Sequence, residues 1–228
     1  MASRGQNSFV SLPGFAASLY NSLTQTRAFQ RGLREIAVEL ASRINNGRIL
    51  DIGAGAGRLL FELHQLNPAF ELYGLDISAA MVELGRRKLS GLGANIRQGD
   101  IQHTNYEDNF FDLVTCTGSF YLWDRPQECL EEIFRILKPH QSAYLFETYR
   151  DCDRREVRKA MRTNLAGENF VRQALAPHFL MKQLRMTYRV DQVAGIIQKT
   201  SFAHSHAVDR IALAGLPAWL RIRLTREV

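Results

Sequence analysis

The sequence predicts one α/β domain, a seven-stranded and mostly parallel sheet flanked by helices, and three observations carry that expectation. Short apolar runs alternate with segments whose apolar residues recur every three and four positions. Two of the runs end at an aspartate, Asp51 and Asp76, and a third expected strand, Asn95 to Gln98, finishes at Gly99-Asp100. At 228 residues, 46% apolar and 23% charged, the chain suits a single core of this kind. Strands and helices alternating at this spacing imply right-handed crossovers between parallel strands.

The elements follow in order. Leu33, Ile36, Ala37, Leu40, Ala41 and Ile44 mark an amphipathic helix over 33–44, broken at Asn46-Gly47. Arg48-Ile49-Leu50-Asp51 is a strand running into a glycine loop, and Leu59 to Leu66 resumes helical spacing before Asn67-Pro68. Phe70 to Leu75 is the second strand, closed by Asp76. Ser78 is a natural N-cap for a helix through Leu89, with Gly91 and Gly93 at its end. Asn95 to Gln98 and Phe111 to Cys116 are the third and fourth strands. A helix from Pro126 to about Leu137 stops at Lys138-Pro139, before a fifth strand at Ala143 to Glu147. Beyond that, Asp151 to about Arg185 reads as helical and basic, Val190 to Lys199 as helix, and Ala203–Ile211 and Trp219–Leu224 as strands at the far sheet edge.

Composition narrows the class. Cys116, Cys129 and Cys152 are odd in number, widely spaced and without a C-x-x-C pair, so neither a disulfide framework nor a structural zinc site is expected. Phe9 to Tyr20 is interrupted by Ser11, Pro13, Gly14 and Ser18, and is not read as a secretory leader. No run approaches the roughly 18 apolar residues of a membrane span. A cytoplasmic location is the expectation. The net charge of +6 is uneven: residues 1–150 hold 15 basic against 16 acidic side chains, residues 151–228 hold 14 against 7. The basic back half suits a phosphate- or carboxylate-bearing partner, or is simply a solvated helix face.

The chemistry is concentrated at the strand ends. Gly53, Gly55 and Gly57 follow the first strand and open a helix, where the missing Cβ permits both a tight turn and close approach of a ligand. The dinucleotide fingerprint G-x-G-x-x-G would need glycine at 58, where Arg58 stands. Asp76 can accept hydrogen bonds from two ribose hydroxyls, and Asp100 from an adenine amino group, both at carboxyl strand ends where open α/β sheets bind ligands. Taken alone, Asp100 could equally be a strand-end turn residue.

With these motifs in order, the chain resembles the class I S-adenosylmethionine-dependent methyltransferases, particularly the small-molecule branch that includes the ubiquinone and menaquinone biosynthesis enzymes. R-I-L-D-I-G-A-G-A-G-R, L-Y-G-L-D-I-S, I-R-Q-G-D-I, F-F-D-L-V and F-Y-L-W-D-R-P-Q-E-C-L-E-E-I-F-R-I-L-K-P carry the resemblance over about residues 48–147. It implies a Rossmann-like sheet with a helical insertion after strand five, and S-adenosylmethionine as cofactor. It divides a single domain, 1–228, into an N-terminal helical cover (1–46), a cofactor-binding core (47–150), a helical insertion or lid (151–188) and a C-terminal helix and sheet edge (189–228). It puts Gly53-Ala54-Gly55 against the methionine end, Asp51 near the amino group and Asp76 on the ribose. Ile77 and Met81 would lie against adenine, Asp100 and Ile101 at its edge, and Thr117 and Gly118 beside the methionine. One departure is visible: the family usually has Gly-Gly after Lys-Pro, and His140-Gln141 stand here.

Methyl transfer from a sulfonium needs positioning and exclusion of water more than a fixed base, so no catalytic residue is named. Tyr121 and Trp123 could contact the sulfonium by cation–π attraction, or simply pack the domain. Tyr20, Glu147 and Tyr149 are further candidates for the acceptor pocket. His103 and His178 could line it or lie on the surface. His204 and His206 could share one strand face, but two imidazoles make no metal site. A small-molecule acceptor is expected; the alternatives are RNA, through Arg154, Arg155, Arg158, Lys159 and Arg162, or a non-catalytic cofactor-binding module.

Overall fold

The computed structural model describes residues 26–227. Tyr20, and the part of the expected N-terminal cover before Thr26, lie outside those residues. One seven-stranded sheet organises the chain. Its strands are β1 (Gly47–Ile52), β2 (Phe70–Asp76), β3 (Asn95–Gln98), β4 (Phe111–Thr117), β5 (Leu137–Thr148), β6 (His206–Leu213) and β7 (Leu216–Thr225). They lie in the order β3-β2-β1-β4-β5-β7-β6, parallel except that β7 runs antiparallel to both β5 and β6. Among the described residues the helices are α1 (Arg27–Ala41), α2 (Arg58–Leu66), α3 (Ala79–Lys88), α4 (Pro126–Ile136), α5 (Arg154–Leu165), α6 (Phe170–Met186) and α7 (Val190–Ile197), with a 3₁₀ turn at Phe120–Leu122.

Alternation along the strands builds two cores. Leu50, Ile52, Val114, Cys116 and Leu145 face one side, packing with Leu130 and Ile133 of α4 and Val193 and Ile197 of α7. Ile49, Leu72, Leu113 and Phe146 face the other, under Leu33, Ile36, Ala37 and Leu40 of α1 and Leu60 and Leu63 of α2. Because both faces are covered, β1 is buried at four successive positions, 49–52, which is why its sequence reads as a short apolar run.

Caps set the helix boundaries. Thr26 Oγ1 accepts from Phe29 N at 3.2 Å, so α1 begins at Arg27 rather than at Leu33 as the periodicity predicts. Ser78 caps α3 as expected, accepting from Met81 N. Asp153 and Asn169 cap α5 and α6.

Three strand starts differ from expectation by three residues or more, β7 beginning at Leu216 rather than Trp219. β5 begins at Leu137, not Ala143. Leu137 pairs with Phe111 and Ser142 with Leu113, so residues 138–141 bulge out opposite Asp112 alone. Pro139, without an N–H, falls within this irregular stretch. His140 there takes φ 63°, the left-handed conformation glycine adopts freely, and its N–H donates to Arg226 O at 2.7 Å. At the far edge β6 begins at His206, because 203–205 are held in a turn by Ala203 N→Thr200 O and Ser205 N→Phe202 O. His204 therefore precedes the strand and does not share a strand face with His206, whose Nδ1 meets Phe202 O at 3.0 Å. Ala214 and Gly215, both at positive φ, form the two-residue turn between β6 and β7.

Candidate functional site

The carboxyl ends of β1, β2 and β4 converge on the glycine loop. Gly53, Gly55 and Gly57 have φ of 69°, 53° and 69°. The loop hangs from its neighbour strand by Gly53 N and Ala54 N, which both donate to Leu75 O, at 2.8 and 3.1 Å. Asp76 fixes it further: Oδ2 accepts from Gly55 N at 2.7 Å and Oδ1 from Ser78 N at 2.9 Å. Burial raises the Asp76 pKa, and those two amides oppose the rise.

Asp51 lies inside this turn, 3% exposed, with its Oδ1 carrying no hydrogen-bond partner. Burial, and secondarily the neighbouring Asp76 charge, hold its carboxyl well above the usual carboxylate range. A buried carboxylate oxygen without a donor fits a cationic ligand group such as an amine. Space is present as well. A Cβ at Gly55 or at Gly118 would meet no atom within 4 Å, so both backbones face open volume. At Gly53, by contrast, a Cβ would overlap the Ser119 side chain. Ser119 Oγ, hydrogen-bonded to Ile52 O and set against Cys116 Sγ at 3.0 Å, thus closes the loop against the end of β4.

The other sequence candidates fall around this turn. Ile77 is 44% exposed, while Met81 and Ile101 are buried. Asp100 Oδ1 accepts from Gln102 N at 2.9 Å, which is turn behaviour, and leaves its second oxygen for another donor. Thr117 Oγ1 is buried without a partner. An orphaned carboxylate oxygen, an orphaned hydroxyl and two open glycine backbones together suit an amino-acid-bearing nucleoside.

Beyond Thr117 and Gly118 opens a cavity of about 130 Å³. Phe29, Gly32 and Leu33 of α1 form one wall, Met161, Asn164 and Leu165 of α5 another. Ala176, Phe179, Leu180 and Gln183 of α6 close it above, with Thr148 and Trp219 at its base. The lining is mostly apolar and, among the described residues, contains no Asp, Glu, Lys, Arg or His.

Tyr121, Trp123, Glu147 and Tyr149 do not line it. Strand alternation is the reason: Thr148 points to the α1 face and pairs with Trp219, so Glu147 and Tyr149 point to the opposite face. Glu147 is 1% exposed; its Oε1 accepts from Thr148 N at 2.8 Å and its Oε2 from Tyr121 N at 3.2 Å. Burial pushes its pKa up to about 8 despite those amides. It ties the 3₁₀ turn to the end of β5. Trp123 packs edge-on against Phe120, and Arg210 lies over the Tyr149 ring. His103 and His178 are exposed and away from the cavity lining.

Sequence reasoning missed Thr148, Asn164, Gln183 and Trp219. The signal was there for α5 and α6, whose inward residues Met161 and Leu165, then Ala176, Leu180 and Gln183, recur at helical spacing.

Comparison with known proteins agrees with this geometry. The family described as "Methyltransferase domain" matches residues 50–145. The demethylmenaquinone methyltransferase of Lactiplantibacillus plantarum is 30% identical over 181 residues, covering 74% of this chain and 74% of that protein. The ubiquinone/menaquinone biosynthesis C-methyltransferase UbiE of Stutzerimonas stutzeri is 32% identical over 111 residues, 46% of this chain and 43% of the relative. The chain spans about half the length of several such relatives, 43% and 49% in two cases. Among solved structures, a putative S-adenosyl-L-methionine-dependent methyltransferase from Methanococcus maripaludis superposes with a TM-score of 0.70 at 19% identity, over 100% of this chain and 98% of that one. The plantazolicin methyltransferase BamL, in complex with a triazolic desmethylPZN analog and SAH, gives 0.70 at 14% identity, over 94% and 91%. The glycine loop, the sheet order and these matches agree: the chain belongs to the class I S-adenosylmethionine-dependent methyltransferases.

Proposed function

We propose that the protein transfers the methyl group of S-adenosylmethionine to a small, apolar, uncharged acceptor held in the cavity between α1, α5 and α6. The carrying observation is that one strand end serves both places: Ser119 packs against Gly53 of the glycine loop, while Thr117 and Gly118 just before it line the cavity. A cofactor on the loop therefore has its reacting end at the cavity mouth.

The cofactor supplies an activated methyl group; the chain supplies grip, orientation and dryness. Asp51 receives the amino group, and the arriving positive charge compensates its buried carboxylate. Asp76 already holds Gly55 and Ser78 through one lone pair on each oxygen, and offers the remaining ones to the ribose hydroxyls. Ile77, Met81 and Ile101 flank the adenine, with Asp100 at its edge. Thr117 Oγ1 gains its missing partner from the methionine moiety. Thr148 and Gln183 supply polar contacts to the acceptor, and the apolar walls exclude water. We read residues 151–188 as the lid of a single domain, since α5 and α6 provide two walls of the cavity. No helix among the described residues is long and apolar enough to cross a membrane, and the three cysteines are free and buried, which supports a cytoplasmic location.

The relatives named as ubiquinone/menaquinone biosynthesis and demethylmenaquinone methyltransferases support a small-molecule acceptor over RNA. A lining without charged side chains among the described residues gives the same preference. The test is direct: S-adenosylhomocysteine raises the melting temperature and NAD does not. Labelled S-adenosylmethionine incubated with a lipid-soluble metabolite extract then yields a labelled small product. A shift with NAD alone sinks the cofactor assignment; tight cofactor binding without transfer to any compound sinks the enzymatic one.

A further inference from the structure

We infer that the outward side of α5 and α6 is a docking surface for an anionic lipid membrane, from which an apolar acceptor reaches the cavity those helices line. The acceptor part rests on the proposed function; the surface itself does not.

The first observation is apolar. At the start of α6, Phe170 is 84% exposed, Val171 57% and Leu175 44%, with exposed Ala174 between them. Such a group on one helix turn is costly in water. The second is electrostatic. On α5 the exposed side chains include Arg155, Arg158, Lys159 and Arg162, with Glu156 the acid on that helix. Along α6 the exposed side continues through His178, Lys182 and Arg185. The nearby acid Glu168 is held by Arg172 at 2.9 Å and by Arg27 N at 2.7 Å, and so does not neutralise them. The third observation is position. The inward residues of these helices, among them Met161, Leu165, Ala176 and Leu180, form the cavity wall.

Charge selects the occupant. Residues 1–25 contain Arg4 and no Asp or Glu, so that segment offers the basic side chains no counter-charge. A second copy in the same orientation would set basic residues against basic. A nucleic acid would answer the charge but leave Phe170, Val171 and Leu175 without an apolar partner. An anionic bilayer satisfies both, since basic side chains take the headgroups and the apolar turn enters the acyl boundary.

The experiment is co-sedimentation of the full chain with phosphatidylcholine vesicles, with and without phosphatidylglycerol. We expect binding to the phosphatidylglycerol vesicles, weakening as salt rises. The double variants Phe170→Ser/Leu175→Ser and Arg158→Glu/Arg162→Glu change exposed positions. Each lowers the partition by about tenfold or more, and neither alters the melting shift given by S-adenosylhomocysteine. No sedimentation with anionic vesicles at low salt overturns the proposal. So does sedimentation that neither variant weakens, or binding to polyuridylate tighter than to vesicles. Vesicle binding without a cofactor-induced shift would uphold the surface and sink the methyltransferase reading; a shift without vesicle binding does the reverse.

Discussion

Replacing Glu147 by Gln tests the electrostatics of the sheet edge. In the folded chain the Glu147 carboxyl keeps its proton up to about pH 8, against an ordinary value of 4.5. Folding therefore takes up a proton between those two values, and stability falls as pH rises through the interval, flattening above about 8. The slope from one such group is at most about 1.4 kcal/mol per pH unit. Asp51 and Asp76 are also raised by burial and tilt the wild-type curve the same way. Glutamine keeps one acceptor oxygen for the Tyr121 and Thr148 amides but cannot ionise. Urea unfolding of both proteins at pH 5.5, 6.5 and 7.5 isolates the residue. The stability difference should move in favour of Glu147→Gln by up to about 1.4 kcal/mol for each pH unit. A difference that stays constant with pH, or moves the other way, would refute the claim that this carboxyl is buried and proton-bearing.

Three further outcomes are expected. Asp76→Ala removes the acceptor for Gly55 N and Ser78 N and, on the proposed reading, for the ribose, and should weaken S-adenosylhomocysteine by about 1–3 kcal/mol in calorimetry; unchanged affinity means the ribose lies elsewhere. Thr117→Val keeps the side-chain shape while deleting a buried hydroxyl that has no partner. The unliganded protein should be as stable or slightly more so, with S-adenosylhomocysteine affinity reduced; equal affinity would separate Thr117 from the cofactor. His140→Gly relieves a left-handed residue and should raise stability by about 1 kcal/mol in urea unfolding, without effect on cofactor affinity.

Much of the glycine loop and its strand-end acids was legible because it is local. Asp51 through Gly57 and Asp76 stand at the end of apolar runs, Asp100 follows the short strand Asn95–Gln98, and chain order alone puts strand ends on one edge of a parallel sheet. Thr26 was not legible as a cap, since a cap ahead of weakly periodic residues looks like loop, and α1 began six residues early. Nor could the length of β5 be read through Lys138-Pro139, because proline ends a helix and also fits a bulged strand. The acceptor side depends on facing. Glu147 attracted attention as a titratable residue at a strand end, whereas the pleat turns Thr148 toward the cavity instead. Which of two adjacent residues faces the ligand requires knowing which sheet face α1 covers, and no short window of sequence states that.

The turn at Ala214 and Gly215 has a consequence for how the molecule is assembled. Ala214 N donates to Glu35 Oε2 at 2.7 Å, a contact 179 positions apart in the chain. Its carbonyl accepts from Arg31 Nη2 at 3.3 Å and from Asn164 Nδ2 at 3.0 Å. The tip of the last hairpin thus joins α1 to α5, and both are walls of the acceptor cavity. During synthesis the glycine loop and its strand neighbours can form while the last hairpin is still unmade. The cavity wall must wait for these long-range contacts, whose loop-closure cost makes them late.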